Sequence, residues 1–397
     1  MDVRKDERNE VMKNELELKW ENIRQAMREE GADGCLLSMN MNLFYVAGIV
    51  FNGYFYLPAE GYPYWFVKRW TMEKKEWVHP IRKPEQMPDL FRFIGLPMPR
   101  KLLLEEDELS YQEYQRLWRV FQPQATGNAS ALMRRLRMIK TPWEIEQMRI
   151  SARAHEAVYR EIPDCFRPGM TDVEFQIEIE RRMRLHGSIG YFRAFGANMD
   201  IFMGSLLAGE NAEVASPFDF ALGGAGIDPS GPLGANGSLL KEGMSVMADM
   251  SGNYTAYQTD MTRVFSIGQL PEEAYRAHQV ALEIQASMEA GSGPGTACAD
   301  MYRQARMIVE REGLEACFMG SRFQAKFVGH GVGLEINELP VLTPRSREVL
   351  QPGMTFAFEP KFVIRGVGAV GIENTFLVTP GGVEKMTRCE EEIIDLL

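Results

Sequence analysis

Histidine is scarce in this chain, five in 397 residues, so any chemistry that needs several imidazoles has few candidates. Cysteine is equally sparse: Cys35, Cys165, Cys298, Cys317 and Cys389 lie far apart, with no C-x-x-C pair. That pattern excludes a disulfide framework and a zinc knuckle, and it suggests reduced thiols in the cytoplasm. Basic residues are in deficit, 44 against 55 acidic ones, for a net charge of −11. Such a balance argues against a chain that coats nucleic-acid phosphates or seeks anionic lipid. The N-terminal MDVRKDERNE is too charged for a signal peptide. One stretch lacks charge altogether: residues 34–59, 26 positions, long enough to cross a bilayer. Ser38, Asn40, Asn42, Asn52, three glycines and Pro58 interrupt it. It therefore reads as short buried strands, and the chain as soluble.

What is present is an ordinary globular composition, 45% hydrophobic and 25% charged, long enough for two or three domains. Leu16, Trp20, Ile23 and Met27 make one apolar stripe on a first helix that Gly31 ends. GCLLSM, NLFYVAG, GYFYLPA and YPYWFVK follow as strand-like segments. Twelve aromatics fall between Phe44 and Trp77, but Lys68 and Arg69 are the only basic residues from Gly34 to Trp70. Sheet core is the better reading than a nucleotide-stacking surface. KLLLEED reads as a buried strand, and LSYQEYQRLWRVF has helical spacing.

The texture changes near residue 135. Thr141-Pro142-Trp143-Glu144 and Thr171-Asp172-Val173-Glu174 are capping boxes that open two helices. Further helices are expected at 272–290 and 297–312, with strands in MSVMADMSG, TRVFSIG, KFVGHGVGL, MTFAFEPKFVI and AVGIENTFLVT. Helix pair, strands, helix pair, strands implies a duplicated α+β unit, one antiparallel sheet covered by helices. We place the domains at 1–133 and 134–397. The glycine-rich segment 223–237 matches no phosphate-loop pattern and reads as a long turn, at most part of a site wall.

The strands of the second domain carry the chemistry. Asp249 and Asp260 lie eleven positions apart on two arms that would form a hairpin, with both carboxylates facing one side. His330 sits in GHGVGL, where three glycines permit close backbone approach, and Glu359 and Glu373 each interrupt an apolar strand. A carboxylate there is costly to bury uncompensated. Taken singly, each would pair with an Arg or Lys or point to solvent. Four carboxylates and one imidazole together suit a pair of divalent ions such as Mn²⁺, Co²⁺, Fe²⁺ or Zn²⁺.

At these residues the sequence resembles the pita-bread metallopeptidases: methionine aminopeptidase, aminopeptidase P, prolidase and creatinase. The resemblance rests on DMSG…TDMTR, GHGVGLEINELP, PGMTFAFEP and GIENTFLVTPGGVEKMT, and on LRMIKTPWEIEQMRISA at the start of the catalytic domain. It implies an α+β fold, a creatinase-like α/β domain followed by a pita-bread catalytic domain, closest to the prolidase and aminopeptidase P branch. It also implies that Asp249 chelates one ion and that Asp260 and Glu373 bridge two. His330 and Glu359 would hold the other ion, with Glu359 also handling a proton. The creatinase branch lost this ligand set, so its retention speaks against creatine hydrolysis. The implied function is cleavage of the bond before proline in small peptides by a cytoplasmic homodimer, with no nucleic-acid or membrane partner.

Three departures from the family pattern bear on that function. A histidine is usual seven residues after the ligand His; here that slot is Asn337, beside Glu338. Asn337 can contact substrate in its place but cannot shuttle protons, a loss typically of about 10²–10⁴-fold. The histidine usual upstream of the first Asp has no counterpart. The usual Arg-Ile-Glu-Asp reads Gly371-Ile372-Glu373-Asn374. His79, His155, His186 and His278 read as structural, unless a neighbouring subunit supplies one. The alternatives are therefore non-peptide C–N hydrolysis or lyase chemistry on the same fold, or a catalytically silent binding protein.

Overall fold

A computed structural model describes residues 3–69, 75–196, 201–218 and 220–397, with side chains from residue 10 onward. Trp70, one of the clustered aromatics, lies outside the described residues. The chain forms two compact units, Met1–Leu136 and Arg137–Leu397.

In the first unit, α1 (Val3–Glu30) buries Trp20, Ile23 and Met27 and stops at Gly31, which takes the left-handed conformation at φ 65°. The sheet comprises β1 (Gly34–Leu37), β2 (Gly53–Pro58), β3 (Tyr64–Val67), β4 (Val78–Pro80), β5 (Lys101–Leu104) and β6 (Ala125–Asn128). Their order is β4-β3-β2-β1-β5-β6, antiparallel from β1 to β3 and otherwise parallel. Between and after them run α2 (Asn40–Ala47), α3 (Met87–Ile94), α4 (Tyr111–Phe121) and α5 (Ala129–Met138). Tyr54, Phe55, Tyr56 and Phe66 are buried, as a sheet core requires.

The segment NLFYVAG, expected as a strand, is instead the body of α2. Met41, Leu43, Tyr45, Val46 and Ala47 are all buried, so no polar face marks the helical period. Its N-terminus is capped from a distance. The buried Glu105 carboxylate accepts from Ser38 N at 2.6 Å, Met39 N at 3.0 Å and Asn42 Nδ2 at 2.9 Å. An anion at a helix N-terminus satisfies free N–H groups and opposes the helix dipole. Replacing Glu105 with Ala should therefore lower the stability of this unit by about 2 kcal/mol in urea unfolding; an unchanged midpoint would contradict the assignment.

The second unit opens with α6 (Pro142–Glu161) and α7 (Asp172–Leu185), each begun by its threonine-glutamate capping box. Strands β7 (Gly204–Ala208), β8 (Ser245–Gly252) and β9 (Thr259–Ser266) follow, then α8 (Glu272–Gly291) and α9 (Cys298–Glu312). The remainder is β10 (Gly329–Gly331), β11 (Glu338–Val341), β12 (Thr355–Phe358), β13 (Lys361–Ile364), β14 (Gly368–Gly371), β15 (Asn374–Thr379), β16 (Gly382–Lys385) and β17 (Ile394–Asp395). One sheet runs β17-β9-β8-β7 and a second β11-β10-β12-β15-β16, with β13 and β14 paired as a hairpin. All pairs are antiparallel except β17 with β9. Helix α6 packs on β8 and β9, α7 on β7, and α8 on β13, β14 and β16.

The expected strands MTFAFEPKFVI and AVGIENTFLVT each break in two, at Glu359-Pro360 and at Ile372-Glu373. A backbone bridge between Thr262 and Glu373 then joins the two sheets. The glycine-rich 223–237 holds no helix or strand; Asn236 N and Gly237 N donate to the Asp172 carboxylate at 3.0 and 2.8 Å.

Candidate metal centre

Each chemically suggestive residue of the second unit is placed by local structure. In the β8–β9 hairpin Asp249 lies opposite Thr262, and Ser251 opposite Asp260, so strand alternation puts all four on one face. Helix α6 fixes the hairpin from behind. The Tyr159 hydroxyl accepts from Met250 N at 3.0 Å, Ser151 Oγ donates to Tyr257 O at 2.7 Å, and His155 Nδ1 lies 3.1 Å from Thr259 Oγ1. Burial pushes the His155 imidazole down to about 3, so it stays neutral in its packed place.

His330 stands in β10 between β11 and β12. A side chain at Gly331 would place its Cβ 2.0 Å from Leu339 O, so only glycine fits beside His330. His330 Nδ1 lies 3.2 Å from Gly331 O and donates to it. In the neutral ring this leaves the Nε2 lone pair facing Glu359 Oε1 at 3.5 Å and Asp260 Oδ2 at 3.7 Å. Acceptor atoms converging at those separations could share a cation. Side-chain atoms of Asp260, His330 and Glu373 lie within 4.8 Å of one another, and Glu373 Oε1 is buried without a hydrogen-bond partner among the described residues. An orphaned carboxylate oxygen beside a converging donor set fits a metal ligand.

A residue that sequence reasoning missed lies at the centre. Lys361 is wholly buried, and its Nζ donates to Asp249 Oδ2 at 2.9 Å, Glu359 Oε2 at 2.7 Å and Glu373 Oε2 at 3.0 Å. Thr262 Oγ1 also donates to Glu373 Oε2, at 2.7 Å. Burial alone would lower the Lys361 ammonium's pKa, but Asp249, Glu359 and Glu373 hold it well above the usual lysine value. Burial and the neighbouring Glu359 push Glu373 up to about 8. Burial and the Glu373 carboxylate likewise raise Asp260. The signal was present in the sequence: a lysine inside FAFEPKFVI is as anomalous as the carboxylates, and it lies two residues from Glu359, on the same side of the chain.

The departures from the family pattern also find places. Arg263, from β9, donates to Glu373 O at 2.9 Å, Asn374 Oδ1 at 2.9 Å and Glu390 O at 2.7 Å, so it supports Glu373 from behind. Gly371 faces Lys361 across the β13–β14 hairpin; a Cβ there would lie 2.7 Å from Lys361 Cα. His278 Nδ1 accepts from Gly371 N at 3.3 Å. His186 pairs with Glu161 at 2.9 Å. Among the described residues, His330 is the one imidazole lining the pocket over these carboxylates. The walls include Phe192, Ile201, Phe220, Leu222, Phe327 and Ile336.

Asn337 also lines the pocket, with its amide doubly engaged: Oδ1 accepts from Phe195 N at 2.7 Å and Nδ2 donates to Phe195 O at 2.9 Å. Its neighbour Glu338 is buried against Arg137 and Lys140, with Lys140 Nζ 2.8 Å from Oε2. Burial would raise the Glu338 pKa, but the two cations hold it below the ordinary value. Because the folded pKa is the lower one, this stabilisation is complete above the unfolded value of about 4.3 and fades as pH falls through the folded value. Replacing Glu338 with Gln leaves two buried cations undercompensated. It should cost about 3–5 kcal/mol near neutral pH and flatten the acid limb of a stability-versus-pH curve; a cost below about 1 kcal/mol would contradict this.

Comparison with known proteins agrees with this architecture. Residues 146–380 match Metallopeptidase family M24, and residues 19–139 match the Creatinase/Prolidase N-terminal domain. A Xaa-Pro dipeptidase from Pyrococcus horikoshii is 26% identical over 384 residues, covering 95% of this chain and 98% of that protein. The solved structure of a Xaa-Pro dipeptidase from Bacillus anthracis superposes with a TM-score of 0.78 at 24% identity, covering 96% of this chain and 99% of that one. An X-Pro aminopeptidase from Thermotoga maritima gives 0.75 at 22%, covering 92% and 98%. With its catalytic unit built around these converging carboxylates, and matched over more than half its length, the chain belongs to metallopeptidase family M24.

Proposed function

We propose that the chain is a metal-dependent hydrolase that cleaves the peptide bond before proline in small peptides. The observation that carries this reading is the convergence of Asp260, His330, Glu359 and Glu373 on the floor of an apolar-walled pocket. These four residues would hold a divalent ion, Mn²⁺, Co²⁺, Zn²⁺ or Fe²⁺. Bound there, such an ion acidifies a coordinated water and polarises the scissile carbonyl.

The chain's own groups do the rest. Glu359 Oε2 is held by Lys361, which leaves Oε1 on the His330 side to take a proton. Phe192, Phe220 and Phe327 offer a dry surface suited to a proline ring. Asn337 keeps the Phe195 segment in register with the pocket wall, and any substrate contact it makes is set by that pairing. The same reading places the enzyme in the cytoplasm, in keeping with five unpaired cysteines, and as a homodimer by resemblance to the prolidase branch.

The single imidazole over the carboxylates supports a second reading, the same centre turned to a non-peptide C–N bond. The two separate in an assay of Xaa-Pro dipeptides and tripeptides with added Mn²⁺ or Co²⁺. The first reading expects proline-dependent turnover, reduced at least about 100-fold by Asp260→Ala or Glu373→Ala; no turnover of any Xaa-Pro peptide would overturn it. Asn337→Ala, losing two hydrogen bonds of about 1 kcal/mol each, should raise KM about tenfold or more while kcat changes less. An equal fall in kcat with KM unchanged would instead assign Asn337 to the chemical step.

A further inference from the structure

The five residues Asp249, Asp260, His330, Glu359 and Glu373 would ordinarily suffice for two divalent ions, and the structure does not fit that load. Lys361 Nζ is hydrogen-bonded to Asp249, Glu359 and Glu373, so it takes an oxygen from the residue expected to chelate one ion alone and from one expected to bridge both. Nor is the ammonium placed to withdraw. The residue is wholly buried, its backbone is paired with Gly371, and its carbonyl accepts from Met319 N at 2.8 Å. A second divalent ion near Asp249 would compete for the same lone pairs and sit against a fixed positive charge.

The remaining donors describe one position. Glu373 Oε1 has no hydrogen-bond partner among the described residues, and His330 Nε2 faces Asp260 Oδ2 and Glu359 Oε1. We propose that the Lys361 ammonium is a built-in cation that takes the place of one of the two divalent ions, leaving a single-ion site at Asp260, His330, Glu359 and Glu373. This deepens the metal-hydrolase reading above and rests on it. An ammonium there neutralises carboxylates and can face a developing negative charge, but it cannot coordinate water. The attacking water then has one source, and the centre is not the symmetric clamp of a two-ion site.

The test is metal content, not activity. Full-length protein is stripped with chelator, loaded with Mn²⁺ or Co²⁺, dialysed and assayed by elemental analysis. The wild type should hold one ion per chain, and Lys361→Ala should hold two. Manganese electron paramagnetic resonance should show an isolated ion in the wild type and a coupled pair in the variant. Two ions in the wild type would overturn the proposal, and this result stands even if the variant does not fold. A folded variant, verified by circular dichroism, with no gain also overturns it. No ion in the wild type but one in the variant would overturn the single-ion site and, with it, the metal-dependent hydrolysis proposed above.

Discussion

Mutual repulsion among four buried or half-buried carboxylates is the constraint on which this catalytic unit depends. Asp249, Asp260, Glu359 and Glu373 converge on one pocket, and burial adds its own penalty to the charges of Asp260 and Glu373. Positive charge has to come from somewhere. Lys361 supplies part of it from within the chain, bonded to three of the four. In the proposed site a further cation would lie beside His330 Nε2, which faces Asp260 and Glu359. An ammonium and a divalent ion are not equivalent: both offset charge, but only the ion binds and acidifies water.

The rest of the unit keeps these groups from moving apart. Two strands break at Glu359-Pro360 and Ile372-Glu373, so the carboxylates stand where the chain passes from one sheet to another. The Thr262–Glu373 bridge closes that junction, and Arg263 holds it from behind. Helix α6 clamps the hairpin bearing Asp249 and Asp260 through Ser151, His155 and Tyr159. Behind the pocket, Glu338 is pinned between Arg137 and Lys140, which steadies the turn that presents Asn337. Rigid backing of this kind is what a site of like charges requires, since any slack would be taken up as separation.

Much of this was legible in the sequence because it takes the form of local contradiction. Lone carboxylates in apolar strands are costly, and Asp249, Asp260, Glu359 and Glu373 stood out for that reason. The capping boxes at Thr141 and Thr171 were equally plain, since cap and partner lie three residues apart. Helix α2 was not legible: its cap, Glu105, lies more than sixty residues downstream, and its buried faces erase the period. Lys361 carried the same signature as the carboxylates. It escaped notice because its meaning depends on which oxygens fold onto it, and those come from three separate stretches of the chain. Arg263 likewise holds the Glu373 backbone from β9, a contact visible only in three dimensions.

The central claim is that one cation of this centre is part of the polypeptide. A crystal structure of the Mn²⁺- or Co²⁺-loaded protein, with anomalous data at the metal edge, tests it most directly. The account predicts one anomalous peak among Asp260, His330, Glu359 and Glu373, with Lys361 Nζ still in hydrogen-bond contact with Asp249. Two peaks, with Lys361 displaced from the carboxylates, would contradict it.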